Sequence, residues 1–484
     1  EEAYKCKDHS KIIFCGYTTI DSEGKIIQEY NLPNYVTENI DCLLALDTTY
    51  ALNGCTLLVH KSMFDKYGKF DTTKRYTQDY YMWSRFNKSS EFIYIDKCLV
   101  YSRQHQEQDC RKNNYKATLE ADEFHFMAIS QISEEKVEKY INGRIQKLFD
   151  LFINYKCNNY VLTSIAIIKL IFMHYTRNGM YSEGFKQIGK LLNTKFINAC
   201  GIPDDKIVIK SKPITIMIYS NAWTFGGIER VMTILSNYLC NKYNIILLSE
   251  YRPDERGYEL PENVIHLKLS READCQISYC ISAIANMLDV NLFIGNPNII
   301  EEFLPVYKIL HGLNIRTIAI NHYYYFLPYQ IGWIRPVAKL RHEAFKYVTA
   351  VTWPNTFSAR LCASINPNVA VMPNPNTYSE ITASNEQREK IILAVGRFYD
   401  TIKRVDKMLY AFKEVYSRDP SVKFFLVGGY DMDTIIPDTN KTLGSLLKEL
   451  DFPEDTVVFT GEQTDVKSYY EKASVLILTS ECEG

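Results

Sequence analysis

Arg397 and Lys403 stand on one short stretch, Val395-Gly396-Arg397-Phe-Tyr-Asp-Thr-Ile-Lys403-Arg404-Val-Asp406. Two cations on a loop of this length can converge on a diphosphate and offset the charge of a departing nucleotide. The apolar run Lys390-Ile-Ile-Leu-Ala-Val that precedes them reads as a strand, and ligands of open α/β sheets gather beyond strand ends. A second candidate is Gly226-Gly227, between a strand and a helix that begins near Ile228. Glycine allows a tight turn there, and the free amides of a helix N-terminus attract anions. The third is Asp79, in Tyr76-Thr-Gln78-Asp79-Tyr-Tyr-Met-Trp83. Thr77 can cap a helix running into Trp83, which puts Asp79 in the first turn, where the helix terminus favours the ionised carboxylate. A positioned carboxylate of that kind can take a proton from an attacking hydroxyl.

The elements that must carry these residues fall into an α/β pattern. Residues 1–112 mix short β-rich runs with turns: Lys11-Ile-Ile-Phe-Cys-Gly-Tyr and Glu91-Phe-Ile-Tyr-Ile as strands, Asp21-Ser-Glu-Gly as a turn. Residues 113–212 are helical in period and read as a connector, with Val137, Tyr140, Ile141, Ile145, Leu148 and Phe149 near one face. From residue 213 strands and helices alternate, which argues for parallel sheet with crossover helices. The pattern restarts at Lys390, so two Rossmann-like halves are expected, 213–387 and 388–484.

In order along 213–484, Gly226-Gly-Ile-Glu-Arg-Val, Met372-Pro-Asn374-Pro, Val395-Gly-Arg to Lys403 and Ser480-Glu-Cys-Glu-Gly resemble the motifs of family 4 glycosyltransferases. These are retaining enzymes of GT-B fold that use nucleotide-activated sugars. The resemblance implies that Arg397 and Lys403 hold the donor diphosphate, with Asn374 on the donor side. It implies that Gly226 and Gly227 approach the donor phosphates or the acceptor. His322, after the strand Thr317 to Ile320, would lie beside the transferred sugar. Glu483 would be the first acid of a two-glutamate motif that contacts the donor sugar, with Glu481 as the nearby alternative. No dedicated base is implied, because the departing phosphate can receive the acceptor proton, and no metal is required.

Upstream, Gly68-Lys-Phe70-Asp71, then Gln78-Asp79 and an aromatic helix, resemble the C-terminal half of a family 2 glycosyltransferase of GT-A fold. Asp79 takes the base position of that inverting family, and Gln78 replaces the acid that usually precedes it. Tyr101-Ser-Arg103-Gln-His105 resembles the element whose histidine completes a divalent metal site, Mn or Mg. The family's nucleotide-binding strands and Asp-x-Asp motif would lie upstream of residue 1. His105 alone cannot supply the several oxygen ligands a hard cation takes. The sequence thus reads as a piece of a tandem parent, inactive by itself. The function implied is transfer of sugars from nucleotide-activated donors to a glycan or lipid-linked acceptor in bacterial surface polysaccharide synthesis.

Composition agrees with a globular protein: 484 residues, 46% hydrophobic and 23% charged, with a net charge of −2. There is no overall basic field of the kind a nucleic-acid partner would require. Thirteen cysteines contain no CxxC pair, and are read as buried or semi-buried thiols in a reducing cytoplasm. The longest apolar stretch, Val161 to Met173, is interrupted by Thr163, Ser164 and Lys169 and falls short of the ~20 residues that span a bilayer. It reads as a buried helix. A cytoplasmic protein follows, with room for peripheral contact at the inner membrane face. A non-catalytic sugar-binding or scaffolding protein is the alternative. A nicotinamide-dependent oxidoreductase is disfavoured, because Gly226-Gly-Ile-Glu is not a G-x-G-x-x-G turn.

Overall fold

The computed structural model describes residues 8–32, 40–46, 52–88, 90–198, 211–252, 257–272, 274–296, 300–322, 325, 334–376 and 388–481. The chain divides into two compact units, Glu1–Ile320 with Leu340–Ala350, and Asn321–Lys339 with Val351–Gly484.

The first unit opens with a three-stranded sheet in the order β2-β1-β3. Strand β1 (Ile12–Ile20) is antiparallel to β2 (Ile26–Tyr30) and parallel to β3 (Phe92–Arg103). Every residue of β1 is buried. The expected turn is built by Asp21, whose Oδ1 accepts from the Glu23 and Lys25 amides at 2.9 Å, and by Gly24 at φ 93°. After the short helix Asp109–Lys112 come five longer ones: Asn114–Ser130, Glu134–Ile141, Gln146–Cys157, Val161–Arg177 and Tyr181–Leu192. The fourth is buried on most of its surface and lies among the others. Its first turn is capped from outside: Asp122 accepts from the Leu162 amide (2.9 Å), the Thr163 amide (2.8 Å) and the Thr163 hydroxyl (2.6 Å). Among the described residues, no helix is long and apolar enough to cross a membrane.

The same helix packs against Ile277–Met287, which lies within the stretch that forms the unit's second sheet; there the Tyr279 hydroxyl donates to Ser164 Oγ at 2.8 Å. That sheet contains β5 (Thr215–Ser220), β6 (Asn244–Glu250), β7 (Val264–Arg271), β8 (Leu292–Gly295) and β9 (Arg316–Ile320), all parallel. Across the sheet the order is β9-β8-β5-β6-β7, followed by β4 (Thr194–Asn198), which runs antiparallel to β7. β4 comes from the stretch read as a helical connector, and β7 went unrecognised in the sequence. Both gaps have one cause: β4 is short, and polar residues interrupt the apolar run of β7.

In the second unit, β10 (Ala350–Trp353) and β11 (Val369–Val371) pair in parallel, Val351 beside Val369. A separate sheet holds β12 (Glu389–Val395), β13 (Lys423–Val427), β14 (Val457–Gly461) and β15 (Ala473–Leu476) in the order β14-β13-β12-β15, all parallel. The helix Val405–Arg418 buries Val405, Met408, Leu409 and Phe412, a spacing that aligns them on one face. They meet Ala394, Phe424 and Leu426 of the sheet and Leu443 and Leu446 of the helix Leu443–Leu450. Full burial of each large apolar side chain stabilises by roughly 1.5–3 kcal/mol. The mixed α/β class with parallel sheets is the one expected from the alternation of elements. None of the described cysteines forms a disulfide; several are buried, but Cys55, Cys110 and Cys157 are exposed, which departs from the buried-thiol expectation.

Candidate functional site

The order of the four-stranded sheet fixes where a ligand can sit. From β12 the chain steps to β13 and β14 on one side, then crosses back to β15 on the other. The strand order thus reverses between β12 and β15, and ligands of open α/β sheets sit beyond the carboxyl ends of the strands at such a point. Arg397 lies one residue past Gly396 at the end of β12. Its neighbour Phe398 is only 1% exposed, and the Phe398 amide donates to the Gly429 carbonyl at 2.7 Å. This anchor leaves the Arg397 side chain exposed, 3.7 Å from Asp400. Asp400 in turn caps the short 3₁₀ turn Thr401–Lys403 by accepting from the Ile402 amide at 3.1 Å. The Lys403 side chain lies alongside Gly396, close enough that a Cβ there would sit 3.9 Å from its Cε. Both cations thus flank the end of β12.

Gly396 and Gly428 meet back to back. Gly428 has φ 135°, and a Cβ on it would come within 1.9 Å of the Gly396 carbonyl oxygen. Glycine is required there by both conformation and space. After Lys403 the chain turns through Arg404 at φ 49°, ψ 52°, a left-handed conformation that costs a non-glycine residue about 1 kcal/mol. Its guanidinium offsets this: it is buried and donates to both carboxylate oxygens of Asp406, at 3.1 and 2.9 Å, and to Glu481. Asp406 first, and then Glu481, hold the Arg404 charge even more firmly than usual. Glu481, the alternative to Glu483, is therefore engaged in an ion pair. Glu483 lies outside the described residues.

Elsewhere in this unit, His322 and Asn374 are brought together. His322 Nδ1 lies 3.4 Å from Asn374 Oδ1, although 52 residues separate them in sequence. His322 is 8% exposed and its Nε2 is buried with no partner among the described residues. Burial pushes its pKa down, against the weaker opposing effect of Asn374. A neutral imidazole that donates through Nδ1 to Asn374 keeps a lone pair on Nε2, ready to accept from a hydroxyl.

In the first unit, β5 and β8 flank the corresponding switch point, and Gly226-Gly227 follows β5 at the start of the helix Gly227–Leu239. The Glu229 carboxylate folds back over this helix start: a Cβ on Gly226 would lie 2.2 Å from Glu229 Oε2. The protein's own anion thus stands at the helix terminus, which opposes a second anion there. Arg230 packs over the Tyr258 ring at 5.6 Å and Phe225 meets that ring edge-on, forming an aromatic shelf beside the glycines.

Asp79 lies in the first turn of the helix Gln78–Phe86 as expected, but its surroundings differ from the expectation. Thr77 gives no side-chain cap. The terminus is capped instead by Glu120, from the helix Asn114–Ser130. Glu120 accepts from the amides of Arg75 (3.0 Å), Tyr76 (2.7 Å) and Thr77 (2.6 Å) and from the Thr77 hydroxyl (2.8 Å). Glu120 thus sets a second carboxylate beside the start of the helix, while the Tyr80 amide donates to Asp79 Oδ1 at 2.9 Å. Burial raises the Asp79 pKa, with the Tyr80 amide pulling it down and the Glu120 charge adding to the rise. Burial also acts to raise that of Glu120, but its hydrogen bonds outweigh this and bring it below the usual range. Asp79 Oδ2 packs against Gly54, where a Cβ would approach it to 3.0 Å. Neither Glu120 nor Arg404 was singled out by sequence. No local pattern announces Glu120, which acts 43 residues from Thr77, whereas the Arg404-x-Asp406 spacing was a readable signal.

His105 is exposed just beyond β3. Among the described residues, no three His, Cys, Asp or Glu side chains come together as a metal site. The residues present do not fit a divalent cation, so no step is routed through one.

The geometry defines a mixed α/β protein with a switch-point crevice in each of two parallel sheets. Residues 389–484, which hold Arg397 and Lys403, match the family described as glycosyl transferases group 1. An uncharacterized glycosyltransferase of Rickettsia typhi is 28% identical over 162 residues, 32% of this chain and 49% of the relative. Another, of Rickettsia prowazekii, is 31% identical over 105 residues, 22% of this chain and 33% of the relative. The chain thus spans about half the length of these curated relatives or less. Among solved structures, HepE of Anabaena in complex with UDP and glucose aligns over 55% of this chain and 74% of its own, at 11% identity and a TM-score of 0.42.

Proposed function

We propose that the chain is a glycosyltransferase, and that the crevice beyond β12 and β15 binds the diphosphate of a nucleotide-activated sugar. The observation that carries this reading is the pair Arg397 and Lys403 at the end of β12, in the stretch that matches the group 1 glycosyl transferases. Their role is to neutralise charge on the departing nucleotide. Transfer in this half is retaining, the departing phosphate taking the acceptor proton, so no side-chain base is needed. His322 accepts a hydroxyl of the transferred sugar at Nε2, while Asn374 fixes its tautomer. With Glu229 already over the helix start, Gly226 and Gly227 suit the uncharged acceptor better than the donor phosphates. Glu483 is assigned to the donor sugar.

The segment 1–112 serves as the acceptor-side half of an inverting module, with Asp79 as general base. A carboxylate whose pKa is raised is a stronger base toward a hydroxyl than an ordinary one. In a longer parent this module would work with Mn or Mg and with donor-binding strands upstream. The pathway proposed is bacterial surface polysaccharide synthesis, with a glycan or lipid-linked acceptor, on the cytoplasmic side of the membrane.

The test is a screen of nucleotide sugars for binding by this chain, and for hydrolysis and transfer by the longer parent, with and without Mn²⁺ or Mg²⁺. Lys403→Ala should cost metal-independent turnover about a hundredfold, the scale of a lost charge-stabilising donor. A chain that neither binds nor turns over any nucleotide sugar refutes the reading.

A further inference from the structure

We infer that Arg404 is a positioning residue of the diphosphate site, acting through Lys403; the inference rests on the donor-site reading above. Three successive carbonyls of the turn, those of Ile402, Lys403 and Arg404, are held by one segment. The Glu481 amide donates to Ile402 at 3.0 Å, and the Thr479 hydroxyl to Lys403 and Arg404 at 3.1 and 3.0 Å. The Arg404 side chain closes this clasp from the other direction. It fixes Asp406 at the start of the helix Val405–Arg418, reaches Glu481, and lies 3.3 Å from Asp438.

The chain crosses the turn in a left-handed conformation that glycine would adopt without strain. Arginine at this position therefore needs a reason beyond backbone geometry, and its side chain supplies one. It joins the turn that aims Lys403 at Gly396 to the segment that continues from β15, so both walls of the crevice are set together. The ligand class is a nucleoside diphosphate, alone or carrying a sugar.

A double-mutant cycle tests this. Dissociation constants of UDP, GDP, ADP and dTDP are measured by calorimetry on the full chain and on Lys403→Ala, Arg404→Gly and the double variant, with thermal unfolding of each as a folding check. Glycine keeps the left-handed turn, so Arg404→Gly removes only the clasp. The expected result is about tenfold weaker binding in each single variant, with the double variant no weaker than Lys403→Ala within about twofold. General loosening of the unit would instead multiply in both backgrounds, and that outcome overturns the inference. So does unchanged affinity in Arg404→Gly where Lys403→Ala is weakened; the donor-site reading would then survive alone. If no diphosphate binds, or Lys403→Ala binds as wild type does, the donor-site reading fails and the inference with it. Should Arg404→Gly not fold, Glu481→Gln removes the charge at one arm of the clasp from a half-exposed side chain and must show the same dependence on Lys403.

Discussion

Gly428→Ala is the substitution that most directly probes how the proposed diphosphate site is built. Gly428 follows β13 at φ 135°, and an added Cβ would lie 1.9 Å from the Gly396 carbonyl oxygen and 2.9 Å from its carbon. That is roughly 1.5 Å closer than two heavy atoms settle. The obstruction is backbone, so no rotamer change relieves it. Two costs add: about 1–3 kcal/mol for forcing an L-residue into this region of φ, and about 1–3 kcal/mol for overpacking. A destabilisation of about 4 kcal/mol lowers the melting temperature of a unit of this size by roughly 8–16 °C.

The strain also has a direction. To admit the methyl group, the ends of β12 and β13 must part, and the bonds that hold the Arg397 loop across this gap are Gly396 N to Val427 O at 3.0 Å and Phe398 N to Gly429 O at 2.7 Å. Hydrogen exchange should therefore rise first at Gly396 and Phe398, and nucleotide binding should fall below what the loss of folded protein explains. Gly461→Ala is the control. It too has a positive φ, 70°, but nothing lies within 4 Å of its added Cβ, so about 1 kcal/mol is expected. Circular dichroism melts of the two variants decide the matter. Equal and small shifts, both within about 4 °C of wild type, would refute the claim that the close approach of Gly396 and Gly428 is what demands glycine.

Two predictions concern the carboxylates beside the helix Gln78–Phe86. Glu120→Gln should lower stability by about 1–2 kcal/mol in urea unfolding, since an amide caps amides less well than a carboxylate. The folded pKa of Glu120 is depressed, so its contribution is present above the unfolded value and is lost as the pH falls through the folded one; the gap between wild type and variant should close in acid. Asp79 has the opposite sign, because its folded pKa is raised and stability declines as the pH rises from the unfolded value through the folded one. Asp79→Asn should therefore be more stable than wild type at neutral pH and lose that advantage in acid, with the Tyr80 amide bond, 2.9 Å in wild type, still satisfied. A variant less stable than wild type at neutral pH would show that the carboxylate is not held against a desolvation cost.

What the sequence made legible follows the range of the interactions concerned. The strands β5, β8, β9 and β12, and the helix on Val405, Met408, Leu409 and Phe412, announce themselves by apolar runs or by helical spacing. The Asp21 turn does so because the amides that donate to its carboxylate lie two and four residues ahead. Arg397 and Lys403 were legible for the same reason: the loop that carries them is short and bounded by a strand. By contrast, the state of Asp79 could not be read from its own helix. Position in a first turn favours an ionised carboxylate, yet burial outweighs it, and a glutamate from another helix adds its negative charge. β7 and β4 were missed because their pairing partners, not their own composition, define them.

The two carboxylate-and-cation clusters obey one rule. A charged side chain in this protein acts on chemistry according to what satisfies its neighbours. Glu120 collects the amides of Arg75, Tyr76 and Thr77 that lead into the Asp79 helix and is held ionised, which leaves Asp79 to respond to burial and to the negative charge beside it. Arg404 collects Asp406 and Glu481, which leaves Lys403 beside Gly396 at the mouth of the crevice. In both places the residue that sequence patterns single out is set by a partner of opposite appeal to the backbone: a carboxylate that caps amides in one, a guanidinium that locks a left-handed turn in the other. Substituting the partner should therefore change the reactive group's pKa or aim before it changes the fold. That ordering separates a positioning role from a structural one.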